Sequence, residues 1–278
     1  MANEKQVTYW NEVAGPKWIK VGDTLEPRFA AITDLLLTKA ALQAGEAILD
    51  VGCGTGPTSI RAARQLAANG SVTGIDISET MLNVARQNTA GQNNLEFLLA
   101  DAETYRFHPA SYNALISRFG NMFFGNPVAA FSNLRTSLTL GGRICFICWA
   151  PLSDNPHWHI PFEIVTAALG PAAPRPPHAP GPMAFADPTY VHGIMADAGF
   201  TNIAITPHHV PIIGNDIETE SQIACSLGPA SALLDEKQAN PATRMRLREE
   251  ISSAFTQFDQ ADGLKLPATI FVITATNG

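Results

Sequence analysis

The residues best placed to do chemistry lie in the run Ile48-Leu49-Asp50-Val51-Gly52-Cys53-Gly54-Thr55-Gly56, an apolar stretch that ends in a glycine turn. Glycines between a strand and a helix let backbone approach a ligand without interference from Cβ atoms. The spacing is GxGxG, and Pro57 stands where a dinucleotide-binding GxGxxG turn has its third glycine. Asp50 sits inside the strand directly before the turn. Its charge repels a pyrophosphate and suits a cation or an ammonium group. Asp76, twenty residues past Gly56 in VTGIDIS, is placed to accept hydrogen bonds from both hydroxyls of a ribose. A third acid, Asp101, follows another apolar run in LLADAE.

Taken singly, Asp76 and Asp101 also read as helix or turn caps. Taken together, three acids and a glycine turn at the C-terminal ends of successive strands meet in one crevice of an open sheet. The ligand they describe has a ribose and little negative charge. S-adenosylmethionine fits, with its α-amino group, sulfonium, ribose and an adenine whose exocyclic amine can meet Asp101. A nicotinamide-dependent oxidoreductase shares the sheet, but the GxGxG turn and Asp50 speak against it.

The elements that must position these residues alternate between glutamate 26 and tryptophan 149, as in a parallel sheet with crossover helices. The pattern predicts a helix over 25–42, strands over 47–51 and 71–76, and helices over 57–68 and 79–88. It continues with strands over 95–99 and 113–117, a helix over 127–138 and a fifth strand over 142–149. Beyond that come a proline-rich stretch with a short helix over 162–169, a helix over 190–198 and a strand over 203–210. Helices over 218–227 and 233–258 and a last strand over 269–276 complete the chain. The 278 residues form one domain, 46% hydrophobic and 15% charged, with ample apolar surface for a core.

The balance of 18 Lys plus Arg against 25 Asp plus Glu, without a basic tract, weighs against nucleic acid as a partner. No secretory signal and no apolar run long enough for a bilayer is readable, so a cytoplasmic location and no membrane contact are expected. Four cysteines are too few for a disulfide scaffold in a chain of this size. Cys145 and Cys148 form a CxxC, but in the strand-like RICFICWA they fall on opposite faces. No His, Cys or acid cluster has ligand spacing, so no metal is expected.

With LDVGCGTG, GIDIS, ADAE and LTLGGRICFICW, the sequence resembles the class I S-adenosylmethionine-dependent methyltransferases. It is similar in particular to the ubiquinone/menaquinone-biosynthesis C-methyltransferase-like (methyltransferase type 11) small-molecule enzymes. SRFGNMFFGNP, DNPHW and GLKLPATIFVITA add less specific matches. The resemblance implies an α/β, Rossmann-like, doubly wound sheet of seven strands, mostly parallel with an antiparallel last strand, plus a helical cap and lid. Residues 26–150 then form the cofactor-binding core, 1–25 an N-terminal closing segment, 151–188 a proline-rich lid, and 211–268 a helical cap between the last two strands. It also implies Gly52, Gly54 and Gly56 against the methionyl and ribose part of the cofactor, with Asp50 acting through its charge. Asp76 binds the ribose, Ile77 packs on adenine, and Asp101 with the backbone of Ala102 reads the adenine edge. Ser117 and Arg118 lie beside the methionyl group, and Tyr9, Trp10 and Trp18 belong to the segment that closes over the cofactor.

A sulfonium methyl is an activated electrophile, so positioning and exclusion of water are the main demands on the protein. Where the acceptor must shed a proton, His157 in DNPHWHIP is the first candidate base. Phe119, Met122, Phe123, Phe124, Trp149 and Trp158 suggest a small apolar or aromatic acceptor, although aromatic residues at such spacing also build cores. The expected function is methyl transfer to an O, C or N atom of such a molecule. The alternatives are a non-catalytic S-adenosylmethionine-binding protein and an enzyme of this fold that uses the sulfonium for another reaction. A homodimer is left open.

Overall fold

The computed structural model describes residues 3–66, 69–89 and 91–278. Helices α1 (Glu4–Thr8), α2 (Ala14–Lys20), α3 (Gly22–Arg28) and α4 (Ala30–Ala40) precede the first strand, with a π-helical turn over Tyr9–Val13. The sheet then alternates with helices: β1 (Ala47–Val51), α5 (Pro57–Leu66), β2 (Ser71–Asp76), α6 (Glu79–Asn88), β3 (Leu95–Leu99) and β4 (Tyr112–Arg118). After these come α7 (Pro127–Ser137), β5 (Leu138–Trp149), α8 (Pro156–Leu169), α9 (Pro188–Asp197) and β6 (Thr201–Ile213). The chain ends with α10 (Ile217–Ser226), α11 (Gly228–Glu236), α12 (Pro241–Phe255), β7 (Asp259–Gln260) and β8 (Gly263–Thr276).

The strands lie in the order β3-β2-β1-β4-β5-β8-β6, and β7 adds only a short hairpin to β8. Pairing is parallel from β3 through β5, and β8 runs antiparallel between β5 and β6. This is the doubly wound sheet the motifs imply, with seven strands on its main path. Central strands covered on both faces are nearly continuous apolar runs: Ile48, Leu49 and Val51 of β1 and Ala114, Leu115 and Ile116 of β4 are all buried. Strand order reverses at β1, which has β2 on one side and β4 on the other, so a crevice opens at their C-terminal ends. Cys145 and Cys148 do fall on opposite faces: one thiol points to the Leu36 carbonyl on α4, the other to the Phe185 carbonyl.

Several boundaries differ from the sequence reading. The helix expected over 25–42 is two helices that meet at Phe29, whose φ −97° and ψ 6° break the helical path. The helix expected over 233–258 is also two, because Asn240 caps α12 through its side chain (2.9 Å to the Thr243 N–H) and Pro241 occupies the first turn. α5 runs to Leu66, and the last two residues of the helix expected over 57–68 lie outside the described residues, as do the first two of the N-terminal segment.

The lid expected over 151–188 divides into three parts. α8 packs on α11 and α12, where Val165 meets Leu233, Leu234 and Leu247 in a small core of their own. Residues 171–178 form a mostly exposed loop, held where His178 stacks on Tyr190 at 3.7 Å. Ala184 and Phe185 are core residues, with Phe185 against Phe131 and Phe146. The prolines mark an irregular chain path, but the apolar residues among them anchor it. Helices α10, α11 and α12 fill the connection between β6 and β8, where the cap was expected.

Candidate cofactor and acceptor site

The glycine turn is built by close backbone approach. Gly52, Gly54 and Gly56 all have positive φ (67°, 57° and 86°). A Cβ on Gly52 would lie 2.6 Å from the Gly120 Cα, and one on Gly120 would lie 2.5 Å from the Val51 carbonyl oxygen. The ends of β1 and β4 therefore meet glycine on glycine, and Ser117 Oγ fastens them by donating to the Val51 carbonyl at 2.6 Å. That bond commits the Ser117 hydroxyl to structure.

Asp76 is part of the turn's architecture. Its Oδ2 accepts the Gly54 N–H at 2.7 Å and its Oδ1 the Ser78 N–H at 2.8 Å. Burial raises its pKa, and hydrogen bonds from the Ser78, Gly54 and Ile77 backbone oppose that rise. A carboxylate has lone pairs beyond these two bonds, so Asp76 locks the turn to the end of β2 with acceptor capacity in reserve. Asp101 accepts its own turn's Glu103 N–H at 3.0 Å, and Asn3 Nδ2 lies 3.4 Å from the same oxygen. Glu103, which the sequence reading passed over, anchors the loop after β4 by accepting the Gly125 and Asn126 N–H groups at 2.9 and 3.1 Å.

Asp50 is buried and turned to α5, where Ser59 Oγ donates to its Oδ2 at 2.6 Å. Desolvation pushes its pKa up to about 6, against the Ser59 hydrogen bond and the charge of Arg118. Arg118 is committed to partners on α3 and α4. Its guanidinium grips both carboxylate oxygens of Glu26 (2.6 and 2.9 Å) and Thr33 Oγ1 (2.8 Å), and lies 5.5 Å from the Phe29 ring centroid.

The N-terminal segment packs on the Ile77–Ser78 turn after β2. Ser78 Oγ donates to the Trp10 carbonyl at 3.0 Å, and Asn11 Nδ2 to the Ile77 carbonyl at 3.3 Å. The Trp10 ring meets Trp18 at 6.5 Å and Phe123 at 4.9 Å, and Trp18 stacks on Phe29 at 6.4 Å. Tyr9 contacts Trp10 and is 43% exposed, so it belongs to the segment's outer side.

The aromatic candidates separate into two groups. Phe119 stacks on Trp149 at 4.3 Å, and Trp149 also meets Trp158 (4.8 Å), His157 (5.2 Å) and Phe29 (6.2 Å). Phe119 holds this place with φ 68°, a left-handed conformation uncommon for a bulky residue and of the kind stored at functional sites. Phe123 instead sits with Trp10, Met122 is buried with its carbonyl accepting from Gly181, and Phe124 packs on Phe131. Phe29, the ring joining the two arginines and Trp149, carried no motif and was missed.

His157 lies in the first turn of α8, 3% exposed, and its ring nitrogens make no well-aligned hydrogen bond, with the Pro267 backbone close enough to act on the ring. Burial and then the charge of Arg28 push its pKa down to about 3, against the Pro267 backbone. A histidine held neutral to this degree takes a proton weakly, which removes the reason for reading it as a strong base.

These two groups oppose each other in stability. Between about pH 4 and 6 the folded protein keeps a proton on Asp50 that the unfolded chain releases, so that contribution is lost as pH rises. Between about pH 3 and 6.5 the unfolded chain takes a proton that folded His157 refuses, so that contribution is lost as pH falls. Each amounts to about 1.4 kcal/mol per pH unit inside its window. His157→Gln is therefore expected to uncover a stability that falls from about pH 4 to 6 relative to the wild type. Denaturant titrations across that range measure it, and parallel pH profiles for the two proteins would contradict it.

The site fits a nucleoside ligand on the chain's own geometry: a positive-φ glycine turn at the end of β1 is hydrogen-bonded to a carboxylate at the end of the neighbouring strand. Among the described residues no group of His, Cys, Asp and Glu converges to hold a metal ion, and no helix is long and apolar enough to cross a membrane. Fold and site define a doubly wound α/β protein whose glycine turn and Asp76 meet at the switch point of the sheet.

Residues 48–142 match the methyltransferase domain family. The aklanonic acid methyltransferase DauC of Streptomyces sp. (strain C5) is 35% identical over 104 residues, which is 37% of this chain and 47% of the relative. The demethylmenaquinone methyltransferase of Clavibacter sepedonicus is 35% identical over 130 residues, 46% of this chain and 51% of the relative. The chain spans about half the length of these curated relatives. The YcgJ protein of Bacillus subtilis shares the fold with a TM-score of 0.55 at 13% identity, over 89% of this chain and 98% of the other. Over this stretch the chain is thus similar to methyltransferases.

Proposed function

We propose that the chain transfers a methyl group from S-adenosylmethionine to a small apolar or aromatic molecule. The observation that supports the reading is the hydrogen bond from the Gly54 N–H to Asp76, which joins the glycine turn after β1 to the carboxylate at the end of β2. Gly52, Gly54 and Gly56 would hold the methionyl and ribose part, Asp76 the ribose hydroxyls, and Ile77, Asp101 and the Ala102 backbone the adenine. Asp50 acts at a distance through its charge, and Arg118 reaches the site only through Phe29 and Glu26. When bound, S-adenosylmethionine supplies an activated methyl group. The chain's own task is to orient the acceptor on the layer of Phe119, Trp149 and Trp158 and to exclude water. The four cysteines are free thiols, as in a reducing cytoplasm, where we place this activity.

The test is calorimetry with S-adenosylmethionine and S-adenosylhomocysteine, then mass spectrometry of aromatic acceptors for a gain of one methyl. A methylated product supports the reading; binding without product across the screen would favour the non-catalytic alternative. The N-terminal segment supplies a second check. Because Asn3 lies on Asp101 and Trp10 and Asn11 bond the Ile77–Ser78 turn, S-adenosylhomocysteine is expected to change amide exchange across Glu4–Lys20. Exchange there that is indifferent to saturating ligand would contradict a closing role for this segment.

A further inference from the structure

On the acceptor side, the chain leaves polar atoms of its own unpaired. The His157 ring packs against the Trp149 and Trp158 indoles, its centroid 5.2 and 5.3 Å from theirs, and beyond the nearby Pro267 backbone its nitrogens find no partner in the chain. Arg28, 5% exposed, pairs with Glu220 through one nitrogen (Nη2 to Oε2, 2.7 Å), and its Nε has no partner. Glu220 is fixed in turn, because its Oε1 accepts the Asn215 N–H and Nδ2 at 3.0 and 2.9 Å. The Arg28 guanidinium lies 5.6 Å from the Phe29 centroid, and Phe29 meets both Phe119 and Trp149. Two elements far apart in sequence, α3 and α8, thus bring polar groups to one aromatic layer. Buried polar atoms without partners cost free energy, and their presence in a native site points to a ligand or water that satisfies them.

We propose that Arg28 and His157 form a subsite for a hydroxyl group on an uncharged aromatic acceptor. The inference rests on the acceptor lying against the Phe119–Trp149 layer, as proposed above. A hydroxyl both donates and accepts: its proton bonds the free nitrogen of neutral His157, and its oxygen receives the Arg28 Nε–H. Because Glu220 already balances the charge of Arg28, the subsite favours a neutral hydroxyl over an anion, whose negative charge Glu220 would repel. Glu220 acts as the positioning residue for the guanidinium.

The experiment measures binding of naphthalene, 2-naphthol and 2-naphthoate to protein saturated with S-adenosylhomocysteine, by calorimetry or tryptophan fluorescence. 2-Naphthol is expected to bind about 10- to 100-fold more tightly than naphthalene, the range set by two buried hydrogen bonds that otherwise go unmade. His157→Phe, which keeps the ring contacts, should erase most of that preference and leave S-adenosylhomocysteine affinity unchanged. Arg28→Met combined with Glu220→Met, which removes the ion pair as a unit, should reduce the preference as well and covers the case in which the first variant misfolds. Equal binding of naphthalene and 2-naphthol, tightest binding by 2-naphthoate, no binding by any probe, or a preference that survives both variants would overturn the subsite. Failure of the wild type to bind S-adenosylhomocysteine would instead overturn the reading of the cofactor crevice.

Discussion

Affinity for S-adenosylhomocysteine is expected to fall by about 10- to 100-fold in Asp76→Ala, through loss of charge-assisted hydrogen bonds. Two losses combine. The ribose hydroxyls lose their acceptor, and the Gly54 and Ser78 N–H groups lose the oxygens that hold them at 2.7 and 2.8 Å. Asp76→Asn separates the two. Its amide keeps one oxygen for the turn but presents an NH2 group to the other backbone donor, so it should fall between alanine and the wild type in unfolding free energy. Calorimetry of both variants checks this, and an Asp76→Ala protein with wild-type affinity would remove Asp76 from the cofactor site.

The second large effect belongs to Gly52. Its alanine variant places a methyl 2.6 Å from the Gly120 Cα at a φ of 67°, so both the left-handed conformation and the backbone of β4's exit oppose it. The left-handed strain alone costs about 1 to 2 kcal/mol, and the clash cannot be relieved by rotating a side chain, because Gly120 is itself pinned against the Val51 carbonyl. We expect a total loss of stability of about 2 to 4 kcal/mol, together with loss of measurable cofactor binding. By comparison, Gly91 also has positive φ (93°) but no atom within 4 Å of its would-be Cβ, so Gly91→Ala bears only the strain. Denaturant midpoints of the two variants make the comparison, and equal destabilisation at Gly52 and Gly91 would refute the close packing of β1 on β4.

The strands and turns around the glycine loop were legible in the sequence because their signals are local. Apolar runs ending in Gly52, Asp76 and Asp101 define the strand ends, and Ser78 and Asn126 define the helix starts that follow. Helix ends were less legible. Asn240-Pro241 is a cap signal inside an apparently continuous helical pattern, and Phe29 breaks its helix without a glycine or a cap side chain to announce it. The aromatic layer around Phe119 and Trp149 was least legible because the pairs beside it are distant: Arg118 finds Glu26 across 92 residues, and Arg28 finds Glu220 across most of the chain. His157 carried a visible polar motif, yet its burial, which decides its protonation, depends on α3, β5 and the chain around Pro267. Spacing along one strand or helix cannot report such contacts.

Calorimetric titration of the wild-type protein with S-adenosylhomocysteine tests the central claim most directly, because it needs no knowledge of the acceptor. The glycine cradle locked to Asp76 predicts binding at one site per chain with micromolar affinity. Absence of binding to both S-adenosylhomocysteine and S-adenosylmethionine would contradict the assignment of Gly52, Gly54, Gly56 and Asp76, and with it the proposed methyl transfer.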